Sequence, residues 1–226
     1  MIRIFVGYDP KEAIAYHNFC ESVIKHCTEP VSFTPLALNT LQDYKENHKD
    51  GSNEFIYSRF LVPHLCGYKG KALFVDGDML CKADISELFY KPMFDAVSVV
   101  KHNYKTKYPI KYLGNINEDY PRKNWSSVMM FNCSHKDCSK LTPEYVAKAK
   151  GKHLHRFEWA DDVGELPIEW NWLANEYDYN PDAKLIHYTI GTPCFKGYHD
   201  MDYGKEWMTT FTHTINPLTG IFRSKL

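Results

Sequence analysis

The run from Lys71 to Leu80 constrains this chain more than any other stretch. Ala72 to Val75 is a short apolar run, rich in strand formers and too brief for a helix, so it predicts a buried strand. The run passes directly into Asp76-Gly77-Asp78. Side chains alternate along a strand, so carboxylates two residues apart lie on one side. Gly77 lets the backbone turn sharply between them. Two like charges that close repel each other, and burying them unpaired is costly. A divalent hard cation relieves both penalties. Carboxylate oxygens suit Mg²⁺ or Mn²⁺, ions that take a few protein ligands together with substrate phosphates. The competing reading is a polar turn after a strand, since an isolated Asp-Gly-Asp is common.

The chain has 226 residues, enough for one α/β domain with a substantial core. Its hydrophobic share of 44% and charged share of 24% exclude a disordered polypeptide. A formal net charge of −1 gives no argument for nucleic acid or an anionic membrane surface as partner. The 16 Tyr, 13 Phe and 5 Trp fill a core, and some suit stacking on sugars or bases. Seven cysteines, without zinc-finger spacing, read as reduced thiols of a cytoplasmic protein. Met1 leads straight into Ile2–Val6, so no signal peptide is expected, and the sequons at Asn124 and Asn132 are discounted. No run approaches a membrane-spanning length.

Taken in order, Ile2–Val6 predicts a first strand, and Pro10 with Glu12 opens a helix over Ala13–Lys25. In open α/β sheets a ligand sits beyond the carboxyl ends of the strands. Tyr8 and Asp9 lie there. They read either as a ring stacked on a base with an acid accepting its N–H, or as a turn tyrosine and a helix cap. Val31–Leu38 predicts a second strand, and Leu41–Gly51 a loop or short helix. Phe55–Leu65 predicts a helix, with Pro63 troubling its last turn and Arg59 facing either solvent or a diphosphate. A short helix at Ala83–Leu88 and strands at Ala96–Val100, Trp125–Asn132 and Lys184–Tyr188 follow. His102–Pro121 has little periodicity and reads as a mobile lid or acceptor-facing loop. Lys136–Lys150 predicts a helix closed by Gly151. The tail beyond Gly197 has no assignment. His187, ending the last strand, is an acceptable Mn²⁺ ligand or a hydrogen-bonded core histidine. Strand–helix alternation over roughly the first hundred residues argues a mostly parallel sheet with helices on both faces.

Glu54–His64, Lys71–Leu80 and Asp84–Leu88 together resemble glycosyltransferases of the GT-A fold, above all the retaining glycogenin-like and lipopolysaccharide galactosyltransferase-like enzymes. Trp125–Asn132 is similar to their central strand, and Leu185-Ile186-His187-Tyr188 to their late metal-ligand histidine. Two departures stand out. The run Gly191-Thr192-Pro193-Cys194-Phe195-Lys196 replaces the family's Gly and Lys-Pro-Trp, and Asp161-Asp162 ahead of Glu169-Trp170-Asn171 stands where an Asp-Gln-Asp is usual.

The resemblance implies one GT-A domain over 1–226. A nucleotide-binding part spans about 1–100, a sugar and acceptor part about 101–200, and a tail 201–226. It implies a UDP-sugar donor, a glycan or other hydroxyl acceptor, and Mn²⁺ or Mg²⁺ on Asp76, Asp78 and His187. The donor would lie against Val6, Tyr8, Asp9, Arg59, Asp76, Gly77, Asp78, Gly191 and Lys196. Asp161 and Asp162 would hold sugar hydroxyls, with Asp162 favoured, and the product would retain the donor's configuration. Two other readings stay open: a haloacid-dehalogenase-type phosphatase using Asp76 and Asp78, and a nucleotide-sugar-binding module without catalysis.

Overall fold

The computed structural model describes residues 1–49 and 53–223, and side chains as far as 213. The expected loop or short helix at Leu41–Gly51 is an irregular turn as far as 49, and its end lies outside the described residues. The first α/β unit follows the sequence pattern. β1 (Ile2–Gly7) runs into a turn at Pro10–Glu12, helix α1 (Ala13–His26) and strand β2 (Val31–Leu36). β3 is Lys71–Val75, as its apolar run demands. β4 (Met79–Cys81) follows almost at once, then α3 (Ser86–Phe89), β5 (Val97–Val99) and β6 (Val128–Asn132). β7 (Val163–Glu165), β8 (Trp172–Leu173), β9 (Leu185–His187) and helix α6 (Gly204–Arg223) complete the order.

The main sheet has the order β2-β1-β3-β6-β5-β7. β6 is antiparallel to both its neighbours while every other pair is parallel, so five strands share a direction and one opposes them. The period-two alternation sorts side chains to two faces. Ile2, Ile4, Val6, Leu73, Val75, Val128 and Met130 meet α1 and α3 through Phe19, Val23, Leu88 and Phe89. Phe5, Ala72, Phe74, Met129 and Phe131 meet the opposite layer, built around Phe60, Leu61, Val62, Val146 and Leu154. A second sheet, β4-β9-β8, packs Leu80 and Ile186 against Tyr203 and Trp207 of the C-terminal segment. Asn18 of α1 donates to the Trp207 carbonyl at 3.1 Å and ties the ends of the chain together.

Several expected helices divide where local chemistry interrupts them. The Phe55–Leu65 stretch becomes a tight turn of helix at Ser58–Leu61 followed by α2 (Val62–Leu65), with Pro63 at the start of the new helix, where its missing N–H is harmless. Lys136–Lys150 divides at Thr142, whose hydroxyl accepts the Tyr145 N–H and caps α4 (Pro143–Lys148). Gly151 opens α5 (Gly151–His155) rather than closing a helix; a Cβ there would stand 2.8 Å from the Tyr57 hydroxyl.

His102, just past β5, is buried with Nδ1 2.8 Å from the Tyr177 hydroxyl. Burial, followed by the nearby His187, pushes its imidazole from 6.5 down to about 3. The folded state therefore keeps His102 neutral at pH values where the unfolded chain protonates it. Its contribution is complete above 6.5 and is lost as pH falls toward 3. Between pH 6.5 and about 5 the wild type should lose about 2 kcal/mol more than a His102→Gln variant, measured by chemical denaturation.

Candidate active site

The site forms where the two sheets meet. β3 ends at Val75, and Asp76-Gly77-Asp78 carries the chain into β4 of the second sheet, where Met79 pairs with His187 of β9. The Tyr188 N–H bonds the Asp78 carbonyl at 3.0 Å, which fixes the histidine strand against the acid turn. Asp76, Asp78 and His187 consequently each bring a ligand atom within 4.8 Å of the others. His187 Nε2 lies 3.4 Å from Asp78 Oδ1 and 3.9 Å from Asp76 Oδ2. Its Nδ1 lies 3.0 Å from Oδ1 of the fully buried Asn171. The Asn171 amide nitrogen donates to Ser127 Oγ at 2.8 Å, which orients the amide oxygen toward the imidazole. Nδ1 is thereby the protonated nitrogen, and Nε2 faces the carboxylates. Protonated, Nε2 is their counter-ion; deprotonated, its lone pair points where their oxygens point.

Arg59 supplies the other counter-charge. The tight turn at Ser58–Leu61 buries its guanidinium between the Phe55 and Phe74 rings, with Nη1 2.8 Å from Asp76 Oδ1 and 2.9 Å from the Ser126 carbonyl. Burial pushes the Asp76 carboxyl up to about 6, with Asp78 adding to the rise and Arg59 and His187 opposing it. Burial pushes Asp78 upward most strongly, but His187, the turn's own backbone N–H and Lys111 together outweigh it and the net direction is down. Asp78 Oδ1 is buried without a hydrogen-bond donor. Two half-buried carboxylates, one with an unsatisfied oxygen, and an imidazole nitrogen aimed between them form a donor set that fits a hard or borderline divalent ion. Glu12 stands nearby; burial, then Asp78, raises its carboxyl to about 8, while a hydrogen bond with Tyr112 opposes the rise.

The remaining candidates divide. Val6 is buried and pairs with Val75, so the end of β1 abuts the acid turn. Gly77 holds no left-handed backbone; it is needed because a Cβ there would stand 2.4 Å from the Gly7 carbonyl oxygen. Tyr8 meets Tyr16 edge-on, and Asp9 accepts the Lys11 N–H at 2.9 Å, capping the Pro10–Glu12 turn. Gly191, at φ +141°, lies under Tyr112. Three expected residues are not brought together with the acids. Lys196 is exposed and lies outside the cavity beside them. Asp161 and Asp162 are exposed and precede β7, which runs in the direction of β3, so they sit at the opposite end of the sheet from Asp76 and Asp78. Asp161 pairs with Lys136 there at 2.9 Å.

A cavity of about 590 Å³ opens beside the cluster, bounded by Arg59, Asp76, Asp78 and His187 on one side, by Lys111–Tyr112 and 115–121 on another, and by Gly151, Lys152, His155 and Arg156 of the α5 region. Lys111 draws the Asp76 and Asp78 pKa values downward. Lys111, Glu12, Asn171 and the basic residues of α5 escaped sequence reasoning because nothing in their local pattern marks them. Only the fold brings them to the acids.

A six-stranded α/β sheet of this kind, with an Asp-X-Asp turn at the carboxyl end of an inner strand facing a histidine, has the GT-A fold. The sequence model described as Glycosyl transferase family 8 matches residues 1–196, and the chain belongs to that family of enzymes. "Protein CDI" of Arabidopsis thaliana is 40% identical over 220 residues, covering 91% of this chain and 84% of that protein. Among solved structures, the WbbM bifunctional glycosyltransferase superposes with a TM-score of 0.65 at 17% identity, covering 93% of this chain, which spans about half (49%) of the WbbM chain. The galactosyltransferase LgtC, solved with donor and acceptor sugar analogs, gives 0.58 at 12% identity, covering 93% of this chain and 95% of LgtC. These likenesses carry the fold.

Gly77→Ala tests the close approach of the two strand ends. The nearest atoms to the new Cβ belong to backbone, so β1 and the acid turn must separate. A loss of about 1–3 kcal/mol of stability is expected in denaturant, with weakened divalent-ion binding by calorimetry.

Proposed function

We propose that this glycosyltransferase moves a hexose from a UDP-sugar to a hydroxyl of a glycan or other acceptor, with a divalent ion, Mn²⁺ in preference to Mg²⁺, and with retention of configuration. The convergence of Asp76, Asp78 and His187 on one point of the cavity wall carries this reading. In it, Asp76 and Asp78 each give an oxygen and His187 its Nε2. When bound, the ion supplies Lewis-acid stabilisation of the charge that develops on the leaving diphosphate. Arg59 keeps Asp76 charged, and Lys111 adds positive charge where the diphosphate would lie. The uracil end is assigned to Val6–Asp9, with Tyr8 on the base, and the sugar to the cavity between 115–121 and α5. Retention fits a site in which Glu118 is, among the described residues, the one lining carboxylate besides the acid pair. The acceptor hydroxyl then passes its proton to a diphosphate oxygen as the new glycosidic bond forms and the donor's bond breaks. The seven cysteines are unpaired, which supports a reducing, cytoplasmic setting.

The deciding experiment is a panel of UDP-sugars scored for UDP release with Mn²⁺, Mg²⁺ or chelator. Release should need metal, and Asp78→Ala should lower it by about three orders of magnitude with the fold intact. Full release under chelator rejects the metal assignment, and a β-linked product by proton NMR rejects retention.

Asn171 gives a second test. Asn171→Leu removes the acceptor for the Nδ1 proton and should weaken Mn²⁺ binding about 10–100-fold by calorimetry, whereas Asn171→Asp keeps an acceptor and should retain most of the affinity. Equal affinity in both variants would refute the role given to the amide.

A further inference from the structure

The stretch between His102 and Pro121 is no loose loop. Glu176 accepts the Thr106 hydroxyl at 2.5 Å and the Lys107 N–H at 2.8 Å. The Asn117 amide donates to Thr106 Oγ1 at 2.6 Å, and Lys123 Nζ donates to Asn117 Oδ1 at 2.8 Å. Further out, Tyr112 stacks on Phe195 at 4.8 Å between centroids, and its N–H bonds the Ile190 carbonyl at 2.8 Å. Between these anchors the chain makes a small hairpin: Ile110 bridges Ile116 antiparallel, and the Lys111 N–H bonds the Asn115 carbonyl at 2.7 Å. The tip is Tyr112-Leu113-Gly114-Asn115, closed by the Asn115 N–H on the Tyr112 carbonyl at 3.3 Å.

Two features of this hairpin do not serve the fold. Leu113 has φ 57° and ψ 18°, followed by Gly114 at φ 75°, a left-handed turn whose first central position favours Asn, Asp or Gly. Leucine holds it at a cost in backbone strain, yet the residue is 68% exposed. Ile110 and Ile116 are 61% and 76% exposed, and as a directly opposed pair they share a face. Tyr108 and Tyr120 add exposed rings beside them. Around this apolar tip stand Lys105, Lys107 and Lys111, against a single acid, Glu118, between 104 and 118. Asp119, the next residue, is also exposed; it accepts the Thr106 N–H and stands 3.6 Å from Lys123. Lys107 approaches an outside carboxylate, Asp178, only at 3.6 Å.

We infer that this hairpin docks the enzyme on an anionic lipid surface: Leu113, Ile110 and Ile116 enter the headgroup and acyl boundary while Lys105 and Lys107 pair with lipid phosphates and carboxylates. An apolar tip flanked by cations has the chemistry of interfacial membrane binding. The anchors on Glu176 and Phe195 hold the tip in shape before contact, so little conformational freedom is lost on docking. No described helix is long and apolar enough to span a bilayer, so the attachment is peripheral and salt-sensitive. Ile116 and Lys111 also line the cavity beside Asp76 and Asp78, so docking turns the cavity mouth toward acceptors held at that surface.

The test is flotation of the full chain with phosphatidylcholine vesicles, with and without phosphatidylserine, in the absence of donor and metal. Its outcome is therefore independent of the catalytic reading. The chain should float with phosphatidylserine vesicles and be released by salt. Leu113→Asp should lower the bound fraction at least about tenfold. Asp tolerates the left-handed turn better than Leu, so this variant should keep or raise the thermal midpoint, which separates lost docking from lost folding. Lys105→Gln with Lys107→Gln should have a similar effect on binding. The inference is overturned by absence of flotation, by equal flotation of wild type and Leu113→Asp, or by equal binding to neutral vesicles. Concentration-dependent dimerisation without flotation would also overturn it, by giving the hairpin to a second copy.

Discussion

Two carboxylates half-buried side by side at the end of β3 are the demand that the surrounding structure answers. Placed there alone they would repel and would protonate. The chain meets the demand with a guanidinium and an imidazole from different directions. Arg59 comes from the layer above the sheet, packed between Phe55 and Phe74, and His187 from a separate three-stranded sheet. Neither is free to leave. Arg59 is bound to the Ser126 carbonyl as well as to Asp76, and His187 is held by Asn171, which Ser127 holds in turn. A polar network closed on itself in this way specifies one arrangement, and that arrangement points an imidazole and two acids at the same small volume.

The chemistry that the site supports follows from what that network leaves unsatisfied. Asp78 keeps an oxygen with no donor, and the cavity beyond it is lined by Lys111, Lys152, His155 and Arg156. An acid cluster able to hold a metal, next to a basic wall, fits the diphosphate donor proposed above. Family 8 membership and the GT-A likenesses agree with that geometry at the level of glycosyl transfer.

What was legible in the sequence was what local pattern decides. The apolar run before Asp76, the helix after Pro10 and the strand ending at His187 each carry their signal within a few residues, and each lies where expected. Asp161 and Asp162 show the limit. Their position along the chain resembles that of a sugar-binding acid pair, but the strand they precede pairs parallel to β5, and strand direction depends on distant partners. Lys111 and Glu12 escaped notice for the same reason. A lysine in an aperiodic loop and a glutamate in a helix's first turn look ordinary until the fold brings both to the acids. Pro63 and Gly151 were seen as helix terminators, and each instead begins a new helix, because the preceding turn had already ended.

The crossing from β3 into β4 spans only Asp76-Gly77-Asp78, so the same three residues bear the acids and join the two sheets. Asp76 therefore directly follows a strand of the main sheet, while the Asp78 carbonyl is already bonded to the Tyr188 N–H beside the histidine of the second. The separation of the imidazole from Asp76 is thus set by the angle at which this one turn joins the two sheets. The C-terminal segment, packed on the second sheet at Tyr203 and Trp207 and bonded to Asn18 of α1, braces that angle from the far end of the chain.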